Sequence, residues 1–451
     1  MSPSLLLGVL RHRARLRRHE RWSREELEVH QARALRRLRD HTYARSPFYA
    51  HHHRGLFDRP LHELPPVTKA DLMGAFDEVV TDRSLHLEDV RAHVGAMKPG
   101  ERMRDRWWVA STSGSTGLRG LFLWDDAEWN QVIASYARAN EWAGLRADLL
   151  RHLKIGVVSS RVPWHGSALV GAALASRIVP TLRLDATQPM EELARELDAF
   201  QPGSLVAYAS MARLLADEQL AGRLHIAPRA VMSASEVLTA DARSKIRAAW
   251  GLEPFDVYAA TETAGVASEC QYHRGLHLYE DLVLTEIVDE QNRPMPPGAH
   301  GAKVLVTVLF TRTLPLIRYE MSDSLALAEE PCPCGLVFRT VLAPRGRRED
   351  ALDLPDLQGG HVRVHPVVVH KVLEPIAARA WQVVNTDGDI RILLEGASRS
   401  DDASLVSAMQ SALRAAGAGA RHVAVEHVDA IPKAAMGKAP LVRNVRPREP
   451  A

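Results

Sequence analysis

The chain has little lysine, little cysteine and almost no net charge, and each shortage excludes something. Eight lysines stand among 57 basic residues, so arginine is the default cation and two close lysines are informative. Basic and acidic residues (57 and 55) nearly cancel to a formal charge of +2. No global field therefore argues for nucleic acid or a membrane surface. Three cysteines in 451 residues, two of them separated by one residue, do not make a disulfide framework. The apolar run at residues 5–10 is too short to span a bilayer, and basic residues follow it where a secretory signal needs them first. The expected protein is cytoplasmic, with neither nucleic acid nor membrane as a partner. The Arg-rich stretch 11–24 reads as a solvated helix face. A Gly-Lys-Ser/Thr end to a glycine-rich loop is also missing, which excludes a P-loop kinase or NTPase. No internal repeat or low-complexity segment is present.

What is present is enough apolar sequence (46%) for a buried core and more than one domain. Residues 24–45 carry Leu27, Ala34, Leu35, Leu38 and Tyr43 at helical spacing. Thr68, followed by Asp71, has the form of a capping box, and Asp125 or Asp126 starts a helix to about Trp142. Strand and helix patterns then alternate: strands at 155–159, 205–208, 230–233 and 255–258, helices at 190–200, 211–221 and 240–250. Such alternation implies a parallel sheet of crossover units, whose ligands collect at the carboxyl ends of the strands. Antiparallel strands are expected at 282–288, 304–310 and 316–319. Gly346 opens a polar break, and beyond it a small α+β unit carries a hairpin signal at Asp387-Gly388, a helix at 405–416 and a strand at 422–427.

Residues 111–120 read Ser-Thr-Ser-Gly-Ser-Thr-Gly-Leu-Arg-Gly, between Trp107-Trp108-Val109 and Leu121-Phe122-Leu123-Trp124. Glycines at 114, 117 and 120 let successive N–H groups converge on an anion, and the hydroxyls of Ser113, Ser115 and Thr116 add donors. The chemistry is that of a phosphate cradle; a plain Ser/Gly turn reads equally well from this loop alone. Further stretches are Ser235-Glu236 after a strand, Tyr258-Ala259-Ala260-Thr261-Glu262, Arg318-Tyr319-Glu320-Met321-Ser322-Asp323, Gly346-Arg347-Arg348-Glu349-Asp350, and Pro432-Lys433-Ala434-Ala435-Met436-Gly437-Lys438. Singly, each has a bland reading. Thr261-Glu262 could start a helix, Asp323 could be a surface carboxylate, and the last two could be linker and solvated loop.

In this order over roughly residues 20–445, the stretches resemble those of the adenylate-forming superfamily of acyl-CoA ligases, carrier-loading adenylation domains and luciferases. The nearest likeness is to phenylacetate-CoA ligase and its relatives, whose entry segment resembles Leu64-Pro65-Pro66-Val67-Thr68-Lys69-Ala70-Asp71-Leu72. The resemblance implies an α/β fold with an α+β C-terminal part: a large N-terminal ATP- and acyl-binding domain (1–345) of mixed sheets and helices, a hinge (346–350) and a small mobile domain (351–451). It implies that Thr112, Ser113, Gly114, Ser115, Thr116 and Gly117 hold phosphates, and that Tyr258 stacks on adenine beside Ala259 and the Ser235-Glu236 turn. Thr261 would contact the α-phosphate, Glu262 hold Mg²⁺, Asp323 bind the ribose, Arg347 touch the nucleotide, Glu349 act as the hinge, and Lys438 serve adenylation. Alanine at 259, glutamate at 349 and Leu118-Arg119 after the loop depart from the family's pattern.

The implied activity is ATP-dependent activation of a small carboxylic acid to an acyl-adenylate, then transfer to coenzyme A. A carrier-protein thiol or an amine is an alternative acceptor, and a degenerate, non-catalytic binding protein is the alternative from another class. Trp164, His165 and Tyr208 suggest an aromatic or medium apolar acid, and the expected assembly is a monomer or homodimer. Separately, Cys270, His277 and Cys332-Pro333-Cys334 have the ligand types of a structural zinc site, with His273 as a competing ligand and three unconnected thiols as the alternative.

Overall fold

The computed structural model of the protein describes residues 3–112, 119–147, 152–176, 178–344, 352–356, 358, 360–364, 366–373, 376, 378, 380–398, 402–432 and 440–445. Helices α1 (Pro3–His19), α2 (Arg24–Arg45), α3 (Pro47–His52), α4 (Lys69–Gly74), α5 (Phe76–Val79) and α6 (Leu87–Ala96) precede a two-stranded ribbon, β1 (Trp108–Ser111) and β2 (Leu121–Trp124). The ribbon brackets the Ser/Gly loop, as the flanking apolar residues imply, with Trp108 opposite Trp124 and Ser111 opposite Leu121. Capping boxes start α2 (Ser23 with Glu26), α4 (Thr68 with Asp71) and α7 (Asp126–Trp142; Asp125 with Glu128). In each, a side chain satisfies a backbone donor that the first turn leaves unpaired.

The next segment is β3 (Ile155–Ser159), α8 (Gly166–Leu174), β4 (Thr181–Asp185), α9 (Met190–Phe200), β5 (Ser204–Tyr208), α10 (Ala209–Leu220), β6 (Ala230–Ala234), α11 (Ala240–Trp250) and β7 (Phe255–Ala260). These strands are parallel, and β8 (Ala264–Glu269), β9 (Leu276–Leu278) and β13 (Thr340–Val341) extend the sheet antiparallel. The order across the eight strands is β13-β9-β8-β7-β6-β5-β3-β4. Helices α9, α10 and α11 share a core with one face of the parallel strands. The other face packs residues such as Val157, Met232 and Val257 with Ala139 of α7 and Leu145 beyond it. Strands buried on both sides read as continuous apolar runs, which is why they are visible in the sequence.

Strands β10 (Val283–Val288), β11 (Lys303–Val308) and β12 (Tyr319–Met321) form the expected antiparallel sheet. The C-terminal segment has its own core. There β14 (Leu352–Pro355) pairs with β15 (His361–Val364), α12 (Pro366–Leu373) and α13 (Asp402–Ala415) supply the helices, and β18 (His422–Val428), β17 (Asp389–Glu395), β16 (Ala380–Thr386) and β19 (Val442–Asn444) make one sheet. Asp387 and Gly388 both have positive φ (52° and 90°), the conformation a two-residue hairpin turn requires.

Three readings change. Thr261 does not start a helix: residues 261–263 are the turn of the β7–β8 hairpin. The Arg-rich face is not simply solvated. Arg13 and Arg17 both bond Glu141, Arg15 bonds Gln131, and buried His19 bonds Asp281 at 2.7 Å. The strand β4 and the helix α8 lacked a sequence signal; β4 is a half-exposed edge and α8 is a Gly/Ala-rich segment without a polar face. Among the described residues, no helix is long and apolar enough to cross a membrane.

Candidate active site

A cavity of about 490 Å³ opens at the carboxyl ends of β3, β5, β6 and β7. It collects Thr112, His165, Tyr208, Ser235, Thr261 and Glu262, which lie far apart in the chain, together with Ala259. The local reasons are distinct. Thr112 leaves β1 and ties the two ends of the Ser/Gly loop: its N–H donates to Gly120 O and its Oγ1 accepts from Gly120 N (2.9 and 2.8 Å). Thr261 and Glu262 sit at the tip of the β7–β8 hairpin, whose register shifts between Tyr258 and Ala259. The next residue but one, Ala264, has φ +64°, and Gly265 lies so close to Tyr279 that a Cβ there would meet its ring at 2.8 Å. The hairpin tip is thus clamped from below.

His165 and Tyr208 belong to one polar cluster. His165 immediately precedes α8 and its Nδ1 lies 2.9 Å from Ser167 Oγ, while the Tyr208 hydroxyl accepts from Ser160 N (2.9 Å). Burial pushes the Tyr208 hydroxyl above its ordinary value, so it stays neutral. Ser235 has φ +68°, in the left-handed region where glycine is at ease. Glu236 turns away: its Oε2 accepts from Ser210 N at the start of α10 (2.9 Å).

Other expected residues stand elsewhere. Tyr258 is buried in the main core on β7, beside the strand positions that face the cavity. Asp323 is buried just beyond β12 and is not among the lining residues. Trp164 is not brought to the cavity either. The Arg119 guanidinium lies over its ring at 5.0 Å, which also accounts for Arg119 without a phosphate. Ser113, Gly114, Ser115, Thr116, Gly117, Arg347, Glu349 and Lys438 lie outside the described residues. Sequence reasoning missed that α1 borders the cavity with Leu6, Val9, Leu10, Arg13 and Arg17. Its basic pattern looked like surface, and only the partner Glu141, more than a hundred residues on, shows otherwise.

The thiols gather at a second place. The ligand atoms of Cys270, His277, Cys332 and Cys334 all lie within 4.8 Å of one another. Cys270 Sγ is 3.7 Å from Cys332 Sγ, and Cys334 Sγ is 3.3 Å from His277 Nε2. A tetrahedral zinc with bonds of about 2.3 Å to sulfur and 2.0–2.1 Å to nitrogen requires edges of about 3.8 and 3.5 Å. His277 Nδ1 donates to the Phe338 carbonyl (3.0 Å), which leaves Nε2 with its lone pair toward the sulfurs. Burial, with the neighbouring thiols, pushes Cys270 up to about 12. His273 does not join the cluster; its Nδ1 lies 3.1 Å from Glu269 Oε2.

No protein-family model matches the chain. It is 27% identical over 376 residues to a phenylacetate-coenzyme A ligase of Thermus thermophilus, covering 78% of this chain and 76% of the relative. Among solved structures, 2-hydroxyisobutyryl-CoA ligase in the postadenylation state with R3-HIB-AMP superposes with a TM-score of 0.72 at 18% identity, over 96% of this chain and 92% of that one. The same ligase with 2-HIB-AMP and CoA in its thioesterification state gives 0.59, at 18% identity over 95% and 92% of the two chains. The chain is thus similar in sequence to a phenylacetate-coenzyme A ligase and shares the fold of 2-hydroxyisobutyryl-CoA ligase.

Proposed function

We propose that the protein is an ATP-dependent acid–CoA ligase. The observation that carries this reading is the convergence of Thr112, Ser235, Thr261 and Glu262 on one cavity at the carboxyl ends of the parallel strands. The likeness to a phenylacetate-CoA ligase supports it, as do structural relatives with acyl-adenylate and CoA bound. A substrate carboxylate oxygen attacks the α-phosphorus of ATP, the bond to the bridging oxygen breaks, and pyrophosphate leaves. The thiol of coenzyme A then attacks the acyl carbon, and AMP leaves. Requiring ATP and coenzyme A puts the reaction in the cytoplasm.

In this reading Thr112–Gly117 cradle the β,γ-phosphates, Thr261 meets the α-phosphate, and Arg347, with Tyr258 and Asp323 from outside the cavity lining, serves the nucleoside. Glu262 offers the hard carboxylate that Mg²⁺ shares with phosphate oxygens; the ion would offset phosphate charge. Lys438 offsets the charge that builds at phosphorus. The chain divides into a large domain (1–345) and a small one (351–451), which turns about Glu349 between the half-reactions. The Cys270, His277, Cys332 and Cys334 set fits a structural zinc, since four protein ligands leave no open position.

The test is acid-dependent pyrophosphate release from Mg-ATP, without and with coenzyme A. Release that falls about 10²–10³-fold in Glu262→Gln supports the reading, and AMP release coupled to thioester names coenzyme A as acceptor. Adenylation with no thioester moves the acceptor to a carrier protein or an amine. Failure to bind Mg-ATP sinks the proposal and favours the non-catalytic relative.

A further inference from the structure

The cavity continues far past the motif residues. Its floor is one face of the parallel sheet, and its levels follow from the strand register. Nearest the motifs stand Ser159, Tyr208 and Ala234. The next rung down is Val157, Val206 and Met232, paired side by side. Ile155 comes next, and Asn140, bonded to Ser204 at the amino end of β5 (2.9 Å), marks the bottom. From Ser159 to Ile155 is four residues, or about 13 Å at about 3.3 Å each. Ile133, Tyr136 and Ala137 of α7 roof this depth, Leu6, Val9 and Leu10 of α1 flank it, and Ile178 and Val179 border its lower end.

The sheet itself reports the void. Val206 and Ala234 lie on central strands yet are partly exposed, whereas their strand neighbours Leu205 and Ser233 are buried. Val206 and Ala234 face the cavity. Below Ser159 and Tyr208 the sheet face is apolar as far as Asn140; the lining also includes Ser176, exposed Arg146, and Arg13 and Arg17, both held by Glu141. A single aromatic ring on acetate would end near the middle rung and leave the lower half unfilled. Apolar space of that kind holds water poorly, so it favours a ligand that occupies it.

We propose that this depth is a chain channel, and that the acid activated is a straight aliphatic carboxylic acid of medium length. Its carboxylate lies at Thr261, its tail runs down the sheet face past Val206, and α1 forms the side wall. A zigzag of C–C bonds of about 1.5 Å advances about 1.25 Å per carbon, so roughly ten carbons fill about 13 Å. The inference rests on the ligase reading above and names its substrate class.

The experiment compares kcat/KM for pyrophosphate release with phenylacetate and a straight-chain series from butanoate to hexadecanoate. The expected result is a rise of up to about fourfold per added CH₂, an optimum between octanoate and dodecanoate, and at least a tenfold advantage over phenylacetate. Val206→Phe moves the optimum to shorter acids and Val206→Ala to longer ones. Should the bulky variant fail to fold, the alanine variant still decides, because it only enlarges the channel. A best rate with phenylacetate or butanoate, or variants that change all acids by one factor, overturns the channel and leaves the ligase standing. No release with any acid removes both.

Discussion

A buried carboxyl that nothing fully neutralises makes the sharpest residue-scale prediction. Asp256, at the start of β7, is 5% exposed. Burial and the charge of Glu269 push its carboxyl up to about 7, against a partial pull from Arg243. Glu269 itself is satisfied, by Arg243 at 2.6 Å, His273 and the Asp256 N–H. The folded state therefore holds a proton that the unfolded state loses near pH 4. Folded protein binds more protons between about pH 4 and 7, so this group makes stability fall as pH rises through that window, with the loss complete above it. Asp256→Asn removes the titration at nearly constant shape. The variant is expected to match the parent near pH 4 and exceed it by on the order of 3 kcal/mol at pH 8. Urea midpoints at the two pH values check this, and a gap that does not grow with pH refutes it. Nothing in the sequence marks Asp256. A partner thirteen residues away across a hairpin becomes a neighbour only when β7 and β8 pair. The Asp281 carboxyl is the opposite case. Burial would raise it, but the two hydrogen bonds and charge of Arg138 hold it well below the usual carboxylate range.

At the scale of elements, legibility followed periodicity and caps. The helices α2, α7, α9 and α11 and strands β3, β5 and β6 were readable from apolar spacing, joined at α7 by the capping aspartate Asp125. The Asp387-Gly388 turn was readable because its residues tolerate positive φ. The β7–β8 hairpin tip was not, since Thr-Glu serves a helix start as well as a turn and only the antiparallel partner decides. The thiol cluster was readable as residue types but not as geometry. It joins the loop after β8, β9, and the segment before β13, at the sheet's antiparallel edge, with Cys270 and Cys332 62 residues apart. If zinc staples that edge, the purified protein carries about one zinc per chain by atomic emission, and Cys332→Ser carries little. The variant then melts several degrees lower, and a chelator lowers the parent's midpoint but not the variant's. Parent protein with no zinc, or a chelator with no effect, returns the cluster to three reduced thiols.

At the scale of the whole molecule, the ligase reading gives the two half-reactions different requirements. Adenylation builds charge at phosphorus and calls for a cation there, whereas thioester formation begins from an adenylate already made. Lys438 is one of two lysines in a closing segment of a chain whose habitual cation is arginine. A compact ammonium on a flexible stem meets a transient site and leaves it, while a planar guanidinium is better held in one paired geometry. Lys438→Ala is therefore expected to lower acid-dependent pyrophosphate release by about 10²–10³-fold. Conversion of supplied acyl-adenylate and coenzyme A to thioester should stay within a few-fold of the parent. Lys438→Arg should recover adenylation only in part. Equal loss of both half-reactions would point to damage of the C-terminal fold instead, which the melting of its own core would reveal. Undiminished pyrophosphate release in Lys438→Ala removes the lysine from adenylation, and with it the reason for proposing a small domain that moves.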